Sequence, residues 1–336
     1  MQQIENRIQI KTKEGNLARR LFQFLIAFIV LFLISEVPWG ELFITLNDVR
    51  NTRETKDHDG EAIPLKAFHL TQKALENKWH RIVSKAAVVV DIEKGEILFE
   101  KNMEETTPIA SLTKLMTALV FLEQNPNLDD LATITPADAE SSGRSRLRVG
   151  ETLTLRDLLN ASLMSSNNLA TKTLVRVSGL PYDDFIDRMN QRAKEIGLEN
   201  TLFYEPTGLD ENNQSTALDC ARLLAFALRD KKIASITVKK TYAFTSLYKK
   251  KGRRHQITNT NSLLFQDGSN GTSSLNVKGG KTGYNGPSGW CLATLVENED
   301  GTKIAAVILG APTSLTRFRE TKSIIKWSSR KATEGT

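Results

Sequence analysis

Ser111 and Lys114 stand three residues apart in Pro108-Ile109-Ala110-Ser111-Leu112-Thr113-Lys114-Leu115-Met116-Thr117. On a helix that spacing puts both side chains on one face, where Ser111 Oγ and Lys114 Nζ can meet. A serine hydroxyl becomes a useful nucleophile only with a base beside it. A lysine is a poor base at its ordinary pKa of about 10.4, but burial or a second cation lowers that value and leaves a neutral amine. Ser-x-x-Lys also occurs at Ser246, Ser323 and Ser328. A solvated pair on an ordinary helix is the simpler reading of any one copy, so partners elsewhere must raise the first above chance.

Two groups offer such partners. Ser166 and Asn168 fall in Ser165-Ser166-Asn167-Asn168, a polar break between two helical patterns. Lys281-Thr282-Gly283, followed by Tyr284, continues from Gly279-Gly280 on a strand pattern. Ser-x-Asn also fits Ser165/Asn167 and Ser274/Asn276, whereas Lys-Thr-Gly occurs once. Two rival chemistries fail on spacing. A phosphate loop ending at Gly280-Lys281-Thr282 would need glycine at Leu275, and Gly286-Pro287-Ser288-Gly289-Trp290 misses the last position of G-x-S-x-G.

The elements that must position these residues are legible in outline. Leu112, Leu115, Met116, Leu119, Val120 and Leu122 recur near a helical period behind Pro108, a good helix entry. Ala86 to Asp91 reads as a buried strand, Glu93-Lys94-Gly95 as a turn and Ile97 to Glu100 as the hairpin partner. Residues 128–153 are polar and rich in turn formers. Thr154 caps a helix to about Met164, a second starts near Leu169, and a third at 181–196 stops at Gly197. Glu205 to Asp210 is a turn, and Thr216 caps a helix to about Arg229. Strands at 241–248 and 254–260 flank a basic tip at 249–254, read as solvated before it is read as a polymer contact. Arg144, Arg146 and Arg148 read as solvated, with substrate carboxylate binding as the minor alternative. Residues 266–275 form a loop, and strands at 277–282, 289–297 and 303–310 precede a helix from Leu315 to Trp327. The order predicts an α+β fold, an antiparallel β-sheet flanked by helices with an inserted helical lobe.

Composition bounds the rest. The chain has 336 residues, 40% hydrophobic and 25% charged, with a net charge of +6, which permits an anionic partner without naming one. Cys220 and Cys291 sit in apolar contexts and are expected as buried thiols. His58, His69, His80 and His255 show no metal-ligand spacing, so no metal or other cofactor is expected. Residues 1–20 are basic, and Leu21 to Ile34 is an apolar run short of the about 20 residues a span needs. Extended to Trp39, and with no A-x-A-like cleavage site after it, it is read as an uncleaved signal anchor. The basic end would lie in the cytoplasm and the catalytic domain outside the cytoplasmic membrane. The expected organisation is 1–20 cytoplasmic, 21–39 membrane anchor, 40–83 linker with a lead-in helix at 65–82, 84–327 catalytic domain and 328–336 flexible tail.

Taken in order and setting, the three motifs resemble the serine penicillin-recognising enzymes. More closely, they resemble the low-molecular-mass penicillin-binding proteins, the D-alanyl-D-alanine carboxypeptidases and endopeptidases. The resemblance covers about residues 84–312. It also rests on Ala86 to Asp91, Glu205-Pro206-Thr207-Gly208-Leu209-Asp210, Asn259-Thr260-Asn261-Ser262-Leu263-Leu264 and Gly280 to Tyr284. It implies a β-lactamase/transpeptidase-like fold and hydrolysis of peptidoglycan stem peptides through an acyl-enzyme, with β-lactams as inhibitors and no nucleic-acid partner. It assigns Ser111 as nucleophile, Lys114 as base and Ser166 as proton relay. Asn168 would hold the substrate amide or Lys114, and Lys281 would supply a positive field. Thr282, Gly283 and Tyr284 would form the peptide-binding edge, and the N–H groups of Ser111 and Tyr284 the oxyanion donors. The family's long carboxy-terminal β-domain is not expected after Trp327, which would bring the pattern nearer the single-domain endopeptidases. Within the same fold, a class A-like β-lactamase is the alternative, although neither Glu199 nor Glu205 opens its Glu-x-x-Leu-Asn pattern. A non-catalytic sensor of β-lactams or wall peptides is the other.

Overall fold

In the computed structural model the chain is built around Ala86–Asp91 (β4), a strand of six residues that are all buried. The structure describes residues 55–56, 62–63, 68–71, 82–143, 145–249, 251–265 and 275–332. The basic segment 1–20, the expected anchor at 21–39, most of the expected linker at 40–83 and residues 266–274 of the expected loop lie outside the described residues. Among those described, no helix is long and apolar enough to cross a membrane.

Ahead of β4, Thr55–Lys56 (β1) pairs with Ala62–Ile63 (β2), and His69–Leu70 (β3) pairs parallel with Glu96–Lys101 (β5). The lead-in helix expected over 65–82 is thereby corrected at its start: β3 docks as an edge strand, where its backbone gains ladder partners. Beyond β5 come Thr107–Pro108 (β6), a 3-10 turn Ala110–Thr113, and Lys114–Glu123 (α1). Then follow Leu131–Thr133 (β7), Pro136–Ala139 (α2), Thr152–Thr154 (β8), Leu155–Ser165 (α3), Asn168–Arg176 (α4) and Tyr182–Glu195 (α5). Next are Gln214–Ser215 (β9), Ala217–Ala227 (α6), Lys231–Thr237 (α7), Thr241–Tyr248 (β10) and Lys251–Thr258 (β11). Asn276–Asn285 (β12), Gly289–Glu297 (β13), Lys303–Ala311 (β14) and Ser314–Ala332 (α8) complete the chain.

The main sheet has six strands in the order β12-β13-β14-β4-β5-β3, antiparallel apart from the β3 edge. Its central strands are apolar on both faces because both are covered. Ala86, Val88, Val90, Ala305, Val307 and Leu309 face the core shared with the helical lobe. Ala87, Val89, Ile304, Ala306 and Ile308 alternate with them and meet Ile324 and Ile325 of α8. That period-2 split is what the pleat dictates.

The helix ends follow local chemistry. Thr154 and Thr216 accept from the backbone N–H groups of Asp157 and Asp219, both at 3.0 Å, and Gly197 adopts φ +75° after α5. Three features depart from the expected outline. A four-stranded sheet, β11-β10-β8-β7, forms beside the lobe. Helix α7 follows α6. Helix α8 runs on to Ala332, so residues 328–332 are helical rather than tail. The basic tip is also narrower than expected, since Lys251, Arg253 and Arg254 already pair within β11.

Candidate active site

The 3-10 turn that carries Ser111 is wedged against two glycines. Ala110 adopts φ +46° immediately before Ser111. A Cβ on Gly208 would lie 1.9 Å from the Ala110 carbonyl oxygen, and one on Gly283 would lie 2.8 Å from that of Ile109. Only glycine allows both approaches, and together they clamp Ser111 between the 205–210 turn and strand β12. The first bond of the turn runs from Leu112 N–H to Ile109 O at 3.2 Å. The Ser111 N–H stands ahead of it, among the unspent donors of a helix start.

Lys114 opens α1 and is fully buried. Its Nζ lies 2.9 Å from Ser111 Oγ and 2.7 Å from Asn168 Oδ1, and it also bonds the Thr207 carbonyl. Burial lowers its pKa to about 7, against the Glu205 carboxylate, which raises it. A neutral amine has two N–H bonds to give. Asn168 Oδ1 and Thr207 O take them, which leaves the nitrogen lone pair directed at Ser111 Oγ.

Across the groove, Lys281 of β12 is also buried and donates to Ser166 Oγ and, at 2.9 Å, to the Thr282 carbonyl. Burial holds its pKa well below the ordinary lysine value, and the charges of Lys114 and Arg317 add to that effect. At Lys114, burial is the lowering cause, so the field expected from Lys281 is not needed to free that amine. Ser166 ends α3 in a left-handed conformation, φ +55°, which turns its hydroxyl toward Lys281. The neighbouring register is used for structure. Ser165 Oγ donates to Ala161 O at 2.8 Å, and Asn167 Oδ1 caps α4 at Ala170 N–H, 2.9 Å away.

Strand β12 pairs on one side with β13 and forms an edge of the sheet. Tyr284 is 54% exposed there and stacks on Trp290 with ring centroids 4.0 Å apart. Thr282 Oγ1 bonds Thr260 Oγ1 at 2.5 Å, and Thr260 N–H reaches Met164 O at 3.0 Å, tying the edge to the end of α3. Arg317 donates to the carbonyls of Gly283 and Cys291 at 3.1 and 3.2 Å, and burial lowers its pKa to about 10.

Thr207, Thr260, Arg317 and Glu205 have structural parts at this site that sequence reasoning did not assign. The quoted Glu205-Pro206-Thr207-Gly208 and Asn259-Thr260-Asn261 segments were the available signal. The Glu205 carboxylate accepts from the N–H groups of Thr207, Gly208 and Leu209, from Thr207 Oγ1 and from Asn213 Nδ2. It shapes the turn that delivers the Thr207 carbonyl to Lys114.

The profile of the D-alanyl-D-alanine carboxypeptidases, peptidase family S11, matches residues 71–313, and the chain belongs to that family. It is 34% identical over 250 residues to the D-alanyl-D-alanine endopeptidase of Pseudomonas aeruginosa, covering 73% of this chain and 77% of that protein. It is 30% identical to the D-alanyl-D-alanine carboxypeptidase DacF of Bacillus subtilis, covering 73% of this chain and 62% of DacF. The crystal structure of the Streptomyces K15 DD-transpeptidase superimposes with a TM-score of 0.67 at 26% identity, covering 74% of this chain and 98% of that one.

Proposed function

We infer that the protein is a serine D,D-peptidase that cleaves peptidoglycan stem peptides through an acyl-enzyme and is acylated by penicillins. The observation that carries this reading is the buried Lys114 amine, 2.9 Å from Ser111 Oγ with a pKa near 7. A base with that value is half deprotonated at neutral pH, close to the optimum for proton transfer. As Ser111 Oγ bonds to the D-alanyl carbonyl carbon, its proton passes to Lys114 Nζ. The tetrahedral oxygen is held by the N–H groups of Ser111 and Tyr284. The C–N bond then breaks, and the proton held by Lys114 reaches the departing amine by way of Ser166. Water then attacks the ester carbon and gives up a proton to Lys114; the bond to Ser111 Oγ breaks, that proton returns to Oγ, and the peptide leaves as a carboxylic acid.

Asn168 orients Lys114, and the Thr282-Gly283-Tyr284 edge offers main-chain pairing to an extended peptide. A substrate carboxylate arriving at Lys281 would favour its charged form. The β-lactamase alternative loses support from Glu205, whose carboxylate already accepts five hydrogen bonds and has no capacity left to activate a deacylating water.

The apolar stretch 21–39, preceded by the basic segment 1–20, supports a membrane anchor, and wall peptides as substrates support a catalytic domain outside the cytoplasmic membrane. Purified protein incubated with muropeptides should release D-alanine from monomers or split cross-linked dimers, read by mass. Stable penicillin acylation with no peptide turnover would replace the enzyme with a sensor.

A further inference from the structure

A second cavity, of about 660 Å³, opens beside Ser166 and Asn167 between the 145–148 segment and strand β11. Arginines line it, and no carboxylate among the described residues does. Arg253 is neutralised in place: it pairs with the fully buried Glu151, which also holds His255 Nε2 at 2.7 Å and Ser246 Oγ at 2.7 Å. That cluster locks β11 to the start of β8, and of its members Arg253 and His255 face the cavity. Arg146, Arg148 and Arg254 stand above it, exposed, with no carboxylate partner among the described residues. Elsewhere Arg156, Arg176, Arg188 and Arg222 are each spent on an aspartate or glutamate. The arginine wall is also fixed to the reaction centre. Asn167 Nδ2 donates to Ser145 Oγ at 2.9 Å, and Asn168 Nδ2 to Ser142 O at 3.0 Å.

We propose that this cleft binds the anionic acceptor peptide of a cross-link and makes cross-links better substrates than terminal D-alanines. The inference rests on the D,D-peptidase reading and on Ser166 as the relay to the leaving amine, because Ser166 puts the cleft on the leaving-group side. When the bond cut is terminal, the leaving group is one amino acid, which leaves the cleft empty. When the bond is a cross-link, the leaving amine carries a peptide with carboxylates of its own. Guanidinium forks pair with carboxylates bidentately, and the volume suits a few residues rather than a polymer track.

The test compares the full chain with Arg148→Ser/Arg254→Ser. Three substrates are used: a cross-linked peptide dimer, the same dimer with its acceptor carboxylates amidated, and a pentapeptide monomer. For the unaltered chain, kcat/KM on the dimer should exceed that on the amidated dimer at least about tenfold, as charge-assisted hydrogen bonds of ordinary strength imply. The double variant should lose this preference while acylation by a fluorescent penicillin and monomer turnover stay within about twofold. A preserved preference, or a loss spread equally over all three substrates, overturns the proposal. The second measurement needs no turnover. Ser111→Ala chain should bind the free acceptor peptide, and adding the two arginine substitutions should weaken that binding by about tenfold or more. Unchanged binding, or saturable binding of a glycerol-phosphate polymer with none of the peptide, overturns the cleft assignment even if the chain cleaves no peptide at all. A chain that turns over no peptide yet binds the acceptor through Arg148 and Arg254 would instead overturn the peptidase reading and keep the subsite.

Discussion

Lys114 Nζ and the Thr207 carbonyl are hydrogen-bonded across 93 positions of sequence, and this bond sets the direction of the Lys114 amine. With Asn168 Oδ1 on the second N–H, the lone pair has Ser111 Oγ as its remaining neighbour. The expected consequence is a rate that follows deprotonation of one amine. The second-order rate of penicillin acylation should rise about tenfold per pH unit below about 7 and level off above it, because the amine is the active form and its pKa is about 7. Stopped-flow acylation between pH 5 and 9 reads this directly. A rate that falls on raising the pH through 7 would mean that the ammonium is the working form. Ser111→Ala should abolish labelling altogether with an unchanged melting curve, and retained labelling would put the nucleophile elsewhere.

Two substitutions should move that midpoint in opposite directions. Glu205→Gln removes the carboxylate that raises the Lys114 pKa, so the midpoint should fall. Asn168→Asp places a carboxylate where Oδ1 accepts from Nζ at 2.7 Å, so the midpoint should rise, by the ordinary rule that a near opposite charge favours the ammonium. Glu205→Gln carries a second signature. Its amide cannot accept from all the donors that the carboxylate serves, so the 205–210 turn should loosen and acylation should slow. Normal acylation with trapped acyl-enzyme would instead make Glu205 a deacylating base.

The grouping of the site side chains was easier to read from the sequence than the scaffold around them. The convergence of Ser111, Lys114, Ser166, Asn168 and Lys281 was legible because each lies in a short motif whose spacing has a local geometric meaning. The alternation of β4 and the caps at Thr154 and Thr216 were legible for the same reason. Thr207 and Thr260 were not, because their parts are played by a backbone carbonyl and by hydrogen bonds to residues far away in sequence. The parallel edge β3 was missed because two residues have no detectable period, and their state is set by the partner strand. The solvated reading of the 249–254 tip failed for Arg253 because its partner, Glu151, lies in another segment of the chain. The helical continuation through 328–332 was missed because Ser328-Ser329-Arg330-Lys331 contains no apolar residue and so shows no apolar period.

Lys281→Met keeps most of the buried side-chain volume and removes the cation and its bond to Ser166 Oγ. Acylation should fall by about 100-fold, the usual scale for losing one organising charge in a closed site. The melting temperature should hold or rise, since burial already disfavours the charged form of the Lys281 amine and an apolar side chain of similar volume suits the buried position. Acylation within threefold of the unaltered chain would remove Lys281 from the mechanism. A collapse of the melting transition would make it a structural strut instead.

Gly208 offers a test of the scaffold alone, because its side chain would touch no substrate group. The residue sits at φ +80°, and an added Cβ would fall 1.9 Å from the oxygen and 2.2 Å from the carbon of the Ala110 carbonyl. Neither atom belongs to a side chain that could swing away, and Ala110 is itself held in a left-handed conformation one residue before Ser111. Gly208→Ala therefore has to push the 205–210 turn off the Ser111 turn. That displaces the Thr207 carbonyl from Lys114 and relaxes the grip on Ser111. Overpacking and a strained backbone each cost about 1–3 kcal/mol, so a loss of at least about 2 kcal/mol is expected in urea unfolding. Acylation should fall more than tenfold at temperatures where the variant is folded. Gly286→Ala is the matched control, since nothing lies within 4 Å of its added Cβ. It should stay within about 0.5 kcal/mol, the ordinary range for an unhindered surface change. If Gly208→Ala behaves like Gly286→Ala, the close approach of the two turns is not what holds Ser111 in place.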